Sequence, residues 1–145
     1  MSNINLVQTA RGSLEVRGAD GADLGCTFAE TEWLAASVSK RFFVAPRAVR
    51  VHSLYATVTV SGTDTTTPAP TAVIKKVPSA SPMTSGTVLH SSTINLAGTA
   101  DTVQTLTLST TASDLDLAKG DSLAIVFTGV LTAATGIAQV GLAWK

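Results

Sequence analysis

The chain holds two histidines, His52 and His90, and one cysteine, Cys26, and these are its whole stock of imidazole and thiol chemistry. His90 is followed by Ser91 and Ser92, and with Asp101 a Ser–His–Asp set can be written down, because triads are defined by geometry and not by order. Consecutive residues on a strand point to opposite faces, however, so Ser91 and His90 cannot meet. No G-x-S-x-G elbow is present either. The sequence predicts no catalytic residue.

Asp114, Asp116 and Asp121 are the best-spaced carboxylates, and a D-x-D pair on a strand puts two on one face. Calcium needs six to eight oxygens, and an EF-type loop needs further ligands and a later Glu. Neither is in place, so a solvated edge with a turn Asp is the expectation. Asp20 and Asp23 make a weaker case still. A single cysteine excludes an intramolecular disulfide framework and a Cys-rich zinc site; Cys26 is expected as a small buried or half-buried thiol. No metal site and no cofactor is predicted.

Basic residues fall in small groups: Lys40 with Arg41, Arg47 with Arg50, and Lys75 with Lys76. With ten cations against ten anions and a net charge of +0, nothing is left over to neutralise phosphates, so nucleic acid is not an expected partner. Charged residues on edge strands block unwanted pairing, and Arg47 and Arg50 are candidates for ion pairs with an acidic partner surface. Trp33 and Trp144 suggest sugar platforms, but aromatics are only 5% of the chain and both are expected to be buried.

The surroundings of these residues are β-rich. At 145 residues the chain is long enough for one domain with a real core. Hydrophobic residues are 45% and charged ones 14%, against about 25% charged in typical soluble domains, so Thr and Ser must dress the surface. No apolar run is long enough to cross a membrane. The amino terminus shows no signal peptide, so synthesis in the cytoplasm is expected.

Residues 1–27 read as an extended arm, with Ile4, Leu6, Leu14 and Val16 spaced between turn-forming glycines. Residues 28–145 read as the folded domain. The stretch 28–45 favours strand, with a short helical turn around Glu30–Leu34, and ends at Pro46. Val49–Val60 is the strongest strand. Its apolar set switches parity near His52–Leu54, which implies either a β-bulge or burial on different faces at its two ends. Thr71–Val77, Thr87–Leu96, Thr102–Ser109, Leu123–Val130 and Ile137–Trp144 follow as strands. Loops lie at Ser61–Pro70 and Ser79–Gly86, with a tight turn at Lys119-Gly120-Asp121. The expectation is an all-β jelly-roll or β-sandwich of about seven to eight antiparallel strands, with an extended N-terminal arm.

From Val49 onward, about two-thirds of the chain, VRVHSLYATVTVSG, a Thr/Pro loop, TVQTLTLS, DLDLAKGDSLAIVFTGV and GIAQVGLAWK resemble the head decoration (cement) proteins of tailed bacteriophages. The most telling piece is L-x-L-x-x-G-D-x-L-x-I at Leu115–Ile125. The resemblance implies a jelly-roll-like virion protein on the outer capsid surface that bridges major capsid subunits as a homodimer or homotrimer. It also implies an arm reaching a neighbour, which would make Ile4, Leu6, Leu14 and Val16 partner contacts. The alternative is a carbohydrate-binding or fibre-head module reading glycans with loops 61–70 and 79–86, neither of which carries an aromatic residue.

Overall fold

The computed structural model describes residues 5–8, 14–17, 26–35, 37–63 and 69–145. Among them the chain is almost all β. Strands β1 (Asn5–Gln8) and β2 (Leu14–Arg17) pair antiparallel as a separate two-stranded sheet. The other strands form two antiparallel sheets of five. The first contains β3 (Cys26–Trp33), β5 (Val49–Val60), β9 (Thr102–Thr105), β10 (Asp116–Leu117) and β12 (Thr135–Trp144). The second contains β4 (Lys40–Val44), β6 (Thr71–Val77), β7 (Thr87–Val88), β8 (Ile94–Asn95) and β11 (Ser122–Thr128). The chain changes sheet at six of the nine connections from β3 to β12, as in a sandwich with jelly-roll-like crossing.

The core lies between the two sheets. Val49, Val51, Leu54, Ala56 and Val58 of β5 face Ile74 of β6 and Leu123 and Ile125 of β11, all essentially inaccessible to solvent. The parity switch in β5 is a bulge: Gly141 of β12 stands opposite Ser53, while the next residue, Leu142, stands opposite Val51. His52 is the extra residue, and the bulge keeps Val51 and Leu54 on the same inner face. Tyr55 consequently points outward.

β12 alternates Gly136, Ala138, Val140 and Leu142 inward. Its small end accommodates Trp33, which is 1% exposed and meets Phe127 of the opposite sheet edge-on at 6.4 Å. A Cβ at Gly136 would collide with the Trp33 indole and the Thr57 carbonyl, so glycine is what lets the ring cross the strand. The expected tight turn is present. Gly120 adopts φ of 89°, and the Asp121 carboxylate accepts the Ser79 and Ala118 N–H groups.

Two local expectations need correction. Glu30–Leu34 is not a helical turn, because Cys26–Trp33 pairs along its length with β12. In a half-buried strand the alternation of Ala29, Thr31 and Trp33 inward with Glu30 and Glu32 outward decides the conformation. Thr87–Leu96 is not one strand. It pairs in register with β6 near its two ends, the five residues between Val88 and Ile94 lying against two on β6, and the His90 side chain bonds the Ile74 N–H between them. Residues 112–115 form one helical turn before β10, and Leu115 and Leu117 are both buried.

Candidate interaction surface

The paired chemistry suggested by His90, Ser91 and Asp101 does not assemble. His90 Nε2 accepts the Ile74 N–H at 2.9 Å, and Nδ1 donates to the Ser92 carbonyl. Both ring nitrogens are thus occupied by backbone, with the imidazole neutral and 6% exposed. Burial pushes its pKa below the usual value, the Ser92 hydrogen bond opposing in part. This histidine replaces a missing ladder carbonyl and is structural.

The three aspartates are spent separately. Asp114 accepts the Ser109 hydroxyl at 2.7 Å and Asp121 closes its turn. Asp116 is the centre of an ionic cluster at one end of the sandwich. Lys145 Nζ lies 2.6 Å from Oδ2, and Arg50 Nε lies 3.8 Å from the buried Oδ1. Lys76 reaches across from the second sheet to the Asp116 and Ser113 carbonyls at 3.2 and 2.6 Å. The Lys145 hydrogen bond chiefly holds the Asp116 carboxyl below its usual pKa, against partial desolvation. No spacing in the sequence announces this cluster; it needs the register that sets β10 and β12 on either side of β5.

Of the predicted partner residues, Arg47 stacks over the Trp144 ring at 4.4 Å, which also leaves Trp144 half-buried and not fully so. Arg50 leans toward Asp116 from the outer face of β5. Leu6, Leu14 and Val16 lie on β1 and β2, with Leu6 opposite Val16 and Leu14 opposite Gln8. Ile4 lies outside the described residues, as does the Cys26 side chain. Three other cations bond backbone carbonyls: Lys40 that of Glu32 at 2.6 Å, Arg41 that of Ser81 and Lys75 that of Thr84 at 3.4 Å.

Apolar side chains are exposed on the outer face of β3, β12, β5 and β9. Phe28 is 67% exposed, Tyr55 43% and Val103 59%. Between the first two lies a concavity of about 360 Å³ lined by Phe28, His52, Ser53, Tyr55, Gln139 and Gly141. Its depth comes from Gly141: a Cβ there would meet the Ser53 hydroxyl and the His52 ring. Glu30, held by Gln139 at 2.6 Å, and Glu32 mark one end of this face, and Arg50 marks the other. Apolar exposure flanked by charge is the composition of a docking surface.

At the level of sequence, no described family and no curated protein matches the chain. Among solved structures it is similar to a chain in the capsid asymmetric unit of cyanophage Pam1. The two share 13% identity with a TM-score of 0.53, over 83% of this chain and 84% of that one. A chain from the disulfide-linked pili of Bacillus endospore appendages aligns at 12% identity and a TM-score of 0.41, over 83% and 86% of the two chains. At these identities the likeness to the capsid chain is one of fold.

Proposed function

We propose that this protein is a structural virion component that binds the outer surface of a tailed-phage head and cements neighbouring major capsid subunits. The observation that carries the reading is the shared fold with a capsid chain across more than four-fifths of both molecules. Three features of the chain itself support it. Its surface is low in charge, one outer face exposes Phe28, Tyr55 and Val103, and the buried His90 is engaged in holding the fold.

In this reading the work is mechanical and no bond is made or broken. Residues 1–27 act as an arm and residues 28–145 as the body. Ile4, Leu6, Leu14 and Val16 of the arm dock on a neighbouring subunit. Arg47 and Arg50 meet acidic groups of the capsid. Each contact is modest, and many symmetric copies acting together stiffen the shell.

Co-sedimentation with expanded heads that lack the protein tests this. Saturable, stoichiometric binding that raises head survival on heating is the expected result. Absence of binding, together with recognition of a sugar on a glycan array, would replace the reading with a fibre-head or carbohydrate-binding module.

A further inference from the structure

We propose that the outer face of β3, β12 and β5 is self-complementary and pairs with a second copy of this chain about a two-fold axis passing over Gly141. Strand register sets the charges in place. β3 and β5 flank β12 on either side. Glu30 of β3 stands opposite Gln139, and Arg50 of β5 stands opposite Ala143. The midpoint between the two charges therefore falls on Gly141, at the floor of the concavity.

An axis lying in the plane of contact over Gly141, perpendicular to the Glu30–Arg50 line, seats Glu30 of each copy on Arg50 of the other. One operation satisfies both ion pairs, which is what an isologous interface demands. The same operation stacks the two Gly141 concavities on each other and keeps each Phe28 one strand spacing from the axis, so that the two exposed Phe28 rings flank it. Phe28 sits beside Gly141 in the register, is 67% exposed, and borders an open concavity of about 360 Å³. Arg50 remains available for a second carboxylate. Its side chain is 44% exposed, and the Asp116 it approaches is already hydrogen-bonded by Lys145.

The face is favoured over the neighbouring strand edge. β3 ends its sheet, but antiparallel pairing of two β3 edges centred on Thr31 would set Glu30 of each copy opposite Glu32 of the other, and like charges across a ladder are unfavourable. Lys40 also covers the Glu32 carbonyl on that strand.

Sedimentation velocity of the full chain across a broad concentration range decides the matter. The wild type is expected to form a concentration-dependent dimer. Phe28→Asp, Glu30→Arg and Arg50→Glu should each raise the dimer dissociation constant by about tenfold or more. Mixing Glu30→Arg with Arg50→Glu should restore the dimer, because each copy then supplies the charge the other lacks. A wild type that stays monomeric throughout overturns the proposal, and so does an oligomer insensitive to Phe28→Asp and Glu30→Arg. Circular dichroism checks each fold. Should Arg50→Glu unfold beside Asp116, the two exposed β3 variants still decide. The pairing is read on the free protein, so its failure is distinct from a failure to bind heads.

Discussion

With Nε2 accepting the Ile74 N–H and Nδ1 donating to Ser92, His90 can take up a proton only by breaking a buried backbone bond. In the unfolded chain the imidazole titrates near 6.5, while in the folded protein burial lowers its pKa. Between these two values the unfolded state binds more protons. Stability is thus fully present above about 6.5 and is lost as pH falls toward the folded-state pKa. Urea unfolding from about pH 8 to about pH 5 should show this decline in the wild type and a flatter profile in His90→Gln, which keeps an acceptor near Nε2 but cannot titrate. An identical slope in both would place the proton uptake elsewhere. Asp116 acts in a separate, lower window: its contribution is present above about 3.8 and is lost as pH falls through the depressed folded value. Gly136 gives a second residue-scale test. A methyl there meets the Trp33 indole and a backbone carbonyl, so Gly136→Ala should cost about 1–3 kcal/mol in chemical denaturation.

At the scale of elements, what was legible in the sequence is what periodicity encodes. The parity switch in VRVHSLYATVTV left a β-bulge or burial on different faces at the two ends, and pairing with β12 decides for the bulge. The Lys119-Gly120-Asp121 turn was legible locally. Thr87–Leu96 was misread because its conformation depends on a side chain standing in for a backbone carbonyl, a tertiary event with no local signature. The ionic cluster of Asp116, Arg50, Lys145 and Lys76 was illegible in the same way, its members being brought together only by the two sheets. The outer-face concavity was hidden too, since a glycine opposite Phe28 means nothing until β3 and β12 are in register. At this scale the arm and body are proposed to be separable. Deleting residues 1–25 stops short of β3, which begins at Cys26, and should leave the melting midpoint nearly unchanged while abolishing docking to heads. A product lacking the near-native far-UV signature would instead make that segment part of the core.

For the whole molecule, the division of labour follows from where polar groups are used. The core seals two sheets around Val, Leu and Ile side chains with Trp33 and Phe127 bridging one end. Lysine side chains bond backbone carbonyls. The outer face of the β3–β12–β5 sheet combines exposed aromatics with complementary charge at its two ends. A body built this way is suited to standing on a surface and joining others, and the proposed capsid role asks nothing further of it. The measurement that tests this most directly is a cryo-EM reconstruction of expanded heads, lacking the protein, after incubation with it. The account predicts ordered density for the sandwich at fixed positions on the outer shell, bridging adjacent capsid subunits at full occupancy. Bare heads at saturating protein, or density confined to a tail or fibre, would contradict it.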